Sequence, residues 1–135
     1  MQGSDRIWSR KSFPKGTVIF RQGDAASTAY LIEEGEVELF VGDNDDRYVL
    51  DTLGPNGLFG ELALIDKGLR SATAVAKSEL TCLILHEQDL DRVLDRADPF
   101  LLKLMRVLSK RVRSTNKIAA ERAEPKAAAE IAIAA

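Results

Sequence analysis

The chain has 135 residues, 45% of them hydrophobic and 30% charged, with 19 basic against 21 acidic side chains and a formal net charge of −2. This is the composition of one globular domain; the length excludes a second large domain, and the charge balance excludes bulk electrostatic binding of polyanions. One cysteine, Cys82, and one histidine, His86, cannot form an intramolecular disulfide, leave too few soft ligands for a zinc or iron site, and give no nucleophile–base pair.

No run approaches the roughly 20 apolar residues that cross a bilayer, and the first part of the chain has no apolar stretch of signal-peptide type. The expectation is a cytoplasmic protein without a membrane span. From Phe13 to Leu85 the texture is that of an all-β fold: short Val, Ile, Phe, Tyr and Thr-rich segments divided by Gly, Asp, Asn and Pro. Thr17–Phe20 follows the turn Pro14-Lys15-Gly16, and Gln22-Gly23-Asp24 marks the next reversal. Ala29–Glu33 and Glu36–Val41 flank Glu34-Gly35 as a hairpin. In its second strand Val37, Leu39 and Val41 are expected on the apolar face, opposite Glu36, Glu38 and Phe40. The polar turn 42–46 leads to Arg47–Leu53, and Ala72–Ala76 and Leu80–Leu85 complete the series. About eight short strands at this spacing point to a sandwich, jelly roll or barrel.

The period then changes to about 3.6. Glu87–Asp95 places Leu90, Val93 and Leu94 on one face of a short helix. A longer helix starts at Asp98, an N-cap, with Pro99 at its first position, and runs to about Ala120. Leu101, Leu104, Met105, Leu108, Val112, Thr115 and Ala119 form a heptad-like seam along it, suited to packing on the β domain or on a second copy. The domain is expected over residues 1–125, its β portion over about 9–86 and its helices over about 87–96 and 98–120; residues 126–135 read as an alanine-rich tail, a frayed helix or disordered.

The chemistry concentrates in Phe59-Gly60-Glu61-Leu62-Ala63-Leu64-Ile65, then Asp66-Lys67-Gly68-Leu69 and Arg70-Ser71-Ala72-Thr73. This stretch resembles the phosphate-binding cassette of cyclic nucleotide-binding domains, the module shared by catabolite activator proteins, protein kinase A regulatory subunits and cyclic nucleotide-gated channels. The resemblance extends to Lys15-Gly16-Thr17-Val18-Ile19-Phe20-Arg21-Gln22-Gly23-Asp24, Tyr30-Leu31-Ile32 and Gly35-Glu36-Val37, and so takes in nearly the whole chain. It implies a mainly β fold with C-terminal α: an eight-stranded β-roll or jelly roll flanked by C-terminal helices. Leu69 stands where many relatives carry proline.

A cyclic nucleotide presents an anionic phosphate, a ribose 2′-hydroxyl and an aromatic base. A helical turn after Gly60 aims free amides at an anion, and Gly60 allows close approach of the ligand. Arg70 supplies a planar fork of donors that lysine lacks. The resemblance makes Glu61 the acceptor for the 2′-hydroxyl, close enough to orient Arg70, and Ser71 offers a small hydroxyl beside them. The expected ligand-binding set is Phe59, Gly60, Glu61, Leu62, Ala63, Arg70, Ser71 and Ala72. Alone, Glu61 also suits a helix dipole and Arg70 an ion pair with it; together, at this spacing, they favour the ligand.

The long helix resembles the dimerisation helix of catabolite activator proteins, which makes Thr115 and Asn116 secondary candidates for base contacts; a polar break in the seam explains them equally well. Its Lys103, Arg106, Lys110, Arg111, Arg113 and Lys117 read as a solvated basic face. Cys82 alternates with Leu80 and Ile84 and reads as a buried thiol, His86 as a junction residue that caps or is solvated, and Trp8 as a packing residue. Seventeen residues follow Ile118 without a second amphipathic pattern, so direct DNA binding is not expected. The sequence thus predicts a stand-alone, non-enzymatic regulatory sensor of cyclic nucleotide, cAMP first and cGMP second. It needs no cofactor or metal and acts on a protein effector or through a homodimer formed by helix 98–120. The alternative is a structural or protein-interaction module of the same fold that binds no nucleotide.

Overall fold

The computed structural model describes residues 8–43 and 45–122, with the side chains of 119, 120 and 122 excepted. The alanine-rich tail, Asn44 in the polar turn and the Ala119 side chain of the seam lie outside the described residues.

Among the described residues eight strands and three helices follow in chain order: β1 (Trp8–Phe13), β2 (Val18–Phe20), β3 (Thr28–Glu34), β4 (Val37–Val41), β5 (Tyr48–Leu53), β6 (Leu58–Phe59), α1 (Glu61–Asp66), β7 (Thr73–Ala76), β8 (Leu80–His86), α2 (Glu87–Asp95) and α3 (Pro99–Arg122). The strands form two antiparallel four-stranded sheets, ordered β1-β8-β3-β6 and β2-β7-β4-β5. This is a jelly roll with C-terminal helices. Two strands went unread in the sequence. β1 carries Ser, Arg and Lys at its centre and is largely exposed, so as an edge strand on β8 it shows no apolar alternation. β6 is a two-residue bridge to β3, too short to have a period.

The main core is one cluster drawn from both sheets: Phe13, Phe20, Tyr30, Ile32, Val37, Leu39, Phe59, Ala74, Ala76, Leu80, Cys82 and Ile84. Cys82 is fully buried, and burial pushes its thiol up to about 11, which keeps it an unreactive filler. On β4 Val37 and Leu39 point into the main core as expected, and Phe40, on the face opposite them, is nevertheless 3% exposed, with the Arg47 guanidinium 3.9 Å from its ring centre. The bulge beside it lies in β5: Leu39 pairs with Asp51 and Phe40 with Val49, which leaves Leu50 as the extra residue. The hairpin expected of Ala29–Glu33 with Glu36–Val41 is corrected: β3 lies in one sheet and β4 in the other, so Gly35, at φ +93°, turns the chain from sheet to sheet, and a β-carbon there would stand 2.1 Å from the Glu79 carbonyl.

A smaller cluster positions the helices. Leu62 of α1 packs with Leu50 and Ala72, and Val112 of α3 lies against them. Asp98 Oδ1 accepts the Phe100 amide at 2.8 Å, so α3 begins as the sequence predicts. His86 stands at the N-cap of α2 without a side-chain capping bond, 3.3 Å from Ser9 Oγ. Trp8 is a half-buried residue of β1, opposite Leu85.

The single seam expected on α3 divides into two faces. Met105, Ser109, Val112, Arg113 and Asn116 face the domain or are half-buried, whereas Leu101, Leu104, Leu108 and Ile118 are 40–47% exposed and Phe100 72%. Apolar residues at both three- and four-residue steps cover more than one side of a helix, and spacing alone does not choose between them.

Candidate functional site

Arg70 is 5% exposed, an unusual depth for a guanidinium. Its backbone is fixed by a two-bond ladder to the β2–β3 loop: the Arg70 amide donates to the Asp24 carbonyl and the Gly23 amide to the Arg70 carbonyl, both at 2.9 Å. That loop is itself pinned, because Asp24 Oδ2 accepts the Arg21 amide and Thr73 Oγ1 accepts the Gln22 amide. The side chain crosses the Phe20 ring at 4.0 Å from its centre. Nη1 donates to the Gly60 carbonyl at 2.9 Å, and Nη2 to Thr28 Oγ1 at 3.2 Å; the same hydroxyl donates to Tyr30 Oη at 2.9 Å. Nε is buried with no partner. Burial lowers the Arg70 pKa, opposed by the charges of Tyr30, Asp24 and Glu61.

Gly60 holds φ +78° at the start of α1 and Glu61 follows it directly. Burial pushes the Glu61 carboxyl up to about 7, against a smaller opposing pull from its own backbone amide and from Arg70. Oε2 of Glu61 is buried without a partner. The two charged residues do not close an ion pair. The expectation that Glu61 orients Arg70 is therefore corrected: the Gly60 carbonyl, Thr28 and the Phe20 ring do so. Phe20 and Thr28 lie 50 and 42 positions before Arg70, and no local signal names them; the long β-strand pattern around them was the only trace.

Other expected site residues divide by burial. Phe59 is fully buried and stacks on Tyr30 with ring centres 5.0 Å apart. Leu62 and Ala63 are 6% and 3% exposed and Ala72 1%. Their side chains build the floor under the site, and only their backbone is left to meet a ligand. Ser71 is half-buried and lines a cleft of about 450 Å³ with Gln22, Val41, Arg113, Asn116 and Lys117. Asn116 is thus brought to Ser71. Thr115 is not: it borders a different surface cleft with Val107, Lys110, Arg111 and Ser114, so within one chain it is outside the site. A cleft of similar volume across Gln22 is bordered by Asp43 and Asp45, carboxylates that disfavour a phosphate there. Among the described residues no group of His, Cys, Asp and Glu is placed to hold a metal ion, and no helix is long and apolar enough to cross a membrane.

The jelly roll thus brings a helical turn, a buried arginine and a carboxylate with one buried, unpartnered oxygen together at one glycine. The model of the cyclic nucleotide-binding domain matches residues 10–97, and the chain belongs to that family. It is 36% identical to the cyclic AMP receptor protein of Thermus thermophilus over 112 residues, covering 81% of this chain and 51% of that one. The chain therefore spans about half of that relative's length. Among solved structures it resembles the cAMP-bound form of the EAL enzyme Bd1971, with TM-score 0.77 and 35% identity over 84% of this chain and 30% of that one. The cGMP-bound form of the same enzyme matches with TM-score 0.73 and 36% identity, over 78% of this chain and 28% of that one.

Proposed function

We propose that this chain is a regulatory sensor that binds cAMP, with cGMP as a second ligand, and performs no catalysis. The observation that carries the reading is that Arg70 Nε and Glu61 Oε2, a donor and an acceptor, are both buried without partners at the same glycine. Leaving such atoms unpaired costs about 1–3 kcal/mol each, and a phosphate oxygen and a ribose hydroxyl supply the missing partners. Ser71, half-buried Val41 and buried Asn116, which line one cleft, then receive the base. The expected ligand-binding set thereby contributes in two ways: Gly60, Glu61, Arg70 and Ser71 by direct contact, and Phe59, Leu62, Ala63 and Ala72 by supporting them.

Output follows from α3. Ligand favours the state in which α1 and α3 pack together, and it shifts that equilibrium only by its differential affinity. Leu101, Leu104 and Leu108 are exposed at steps of three and four residues, and half-buried Thr115 and exposed Ile118 resume the stripe seven and ten residues further on, the spacing of a two-stranded coiled-coil seam. We assign this face to a second copy of the chain, with a protein effector reading the rearrangement. Thermal unfolding with and without nucleotide tests the sensor reading. A ligand at 100 times its Kd adds about 2.7 kcal/mol to the native state, so cAMP at millimolar concentration is expected to raise Tm by several degrees.

One observation favours the second reading, a structural module that binds no nucleotide: both terminal nitrogens of Arg70 already have protein acceptors. A Tm unmoved by cAMP and by cGMP would establish that reading instead.

A further inference from the structure

Neighbouring residues at the end of α1 carry opposite charges and are tied to different C-terminal helices. Lys67, in the left-handed conformation at φ +58°, reaches Asp91 of α2 at 2.5 Å and Glu87 at 3.4 Å. Asp66 accepts from Arg113 of α3 with both carboxylate oxygens, Oδ2 from Nε and Oδ1 from Nη2, the latter at 3.0 Å. Only the Asp66 tie continues into the nucleotide site. Nη2 of Arg113 also donates to the Leu69 carbonyl at 2.9 Å, on the residue immediately before Arg70. Asp66 Oδ1 accepts the Gly68 amide as well, at 2.9 Å. One guanidinium therefore closes the loop 66–69 on which Arg70 is carried.

Two further observations point the same way. A β-carbon on Gly68 would stand 2.9 Å from Asp66 Oδ1 and 3.0 Å from Arg113 Nη2, although its backbone lies outside the left-handed region. What glycine provides there is room for the ion pair. Arg113 also borders two clefts at once, the one holding Ser71 and Asn116 and an outer one with Asp66, Gly68, Arg106 and Lys110.

We propose that Arg113 is a positioning residue for Arg70: by gripping Asp66 and the Leu69 carbonyl it makes the pose of the phosphate-binding arginine depend on the docking of α3. This rests on the cyclic nucleotide reading above. A planar fork spans a carboxylate and a carbonyl together, which a lysine ammonium does less well. The coupling is reciprocal, so bound nucleotide strengthens α3 docking by the factor that docking strengthens nucleotide binding.

The test uses the full chain. Kd for cAMP is measured by calorimetric titration for wild type, Arg113→Gln, Arg113→Lys, Asp66→Asn, the Asp66→Asn/Arg113→Gln pair, Gly68→Ala and Lys67→Gln. Amide hydrogen exchange along α3 is read with and without nucleotide. Arg113→Gln and Asp66→Asn are each expected to weaken binding about tenfold, and the pair no more than either alone. Gly68→Ala falls between, and Lys67→Gln stays within about twofold of wild type because its tie leads only to α2. Nucleotide slows α3 exchange in wild type and not in Arg113→Gln. If Arg113→Gln does not fold, Arg113→Lys is judged by the same criteria. The proposal is overturned if wild type binds while Arg113→Gln binds equally, if the two single losses multiply, or if Lys67→Gln loses as much. A wild-type protein that binds neither nucleotide refutes the sensor reading, and the coupling with it. In that case faster α3 exchange in nucleotide-free Arg113→Gln still identifies the tether as a structural clamp.

Discussion

Arg70 Nη1 lies 2.9 Å from the Gly60 carbonyl, and a β-carbon on Gly60 would stand 2.7 Å from that same nitrogen. The absence of a side chain at Gly60 is therefore what lets the buried guanidinium lie against the start of α1. The same added carbon would meet the Phe20 ring at 3.2 Å.

Gly60→Ala combines a φ of +78° that disfavours a β-carbon with displacement of Arg70. The expected outcome is a loss of about 2 kcal/mol in stability and a disproportionate loss of nucleotide affinity. Urea unfolding and titration on the same preparation separate the two. Unchanged affinity in a destabilised protein would show that Arg70 recovers its pose without Gly60.

Arg70→Lys keeps the charge and discards the fork. One ammonium cannot hold the Gly60 carbonyl and Thr28 Oγ1 while also serving a phosphate. Losing charge-assisted bonds of roughly 1.5–3 kcal/mol weakens binding by about 10²-fold, measured as Kd by titration. Thr28→Val should weaken it less, by about tenfold or under, because it removes one acceptor from Arg70 and touches no phosphate.

Glu61 makes stability depend on pH with a defined sign. Its carboxyl is pushed from 4.5 up to about 7 in the folded chain, so the native state keeps a proton that the unfolded chain releases. Its contribution is fully present below about pH 4.5 and is lost as pH rises through about 7. Glu61→Gln removes this dependence. Across pH 5 to about 8, Tm of the nucleotide-free wild type is expected to fall relative to that of the variant; parallel curves would contradict the burial of Glu61.

Much of this was legible in the chain because its strands alternate and its cassette is contiguous. Gly60, Glu61, Arg70 and Ser71 are neighbours in sequence, and the stop and start signals at Asp98 and Pro99 are local. The misses share a physical cause. β1 is a polar edge strand whose partner, β8, is about seventy residues away, and Phe40 is buried on the face opposite Leu39, where the Arg47 guanidinium lies over its ring. Phe20, Thr28 and Arg113 reach the site only through tertiary folding. Spacing on α3 placed Met105 and Leu104 on one stripe, whereas the domain takes Met105 and leaves Leu104 40% exposed.

The outward face of α3 gives a prediction about assembly. Leu104→Glu with Leu108→Glu places two carboxylates on the exposed stripe without entering the core. Wild type is expected to sediment as a dimer at tens of micromolar and the double variant as a monomer, with Tm of the monomer fold little changed. A monomeric wild type, with and without nucleotide, would remove the second copy as the occupant of this face.

The most direct measurement is calorimetric titration of the protein, stripped of any co-purified nucleotide, with cAMP and with cGMP, alongside Arg70→Ala. Saturable binding at low micromolar Kd or tighter in wild type, lost by about 10²-fold or more in the variant, is the predicted result. No heat with either nucleotide, or equal binding by wild type and variant, would contradict a phosphate site at Arg70.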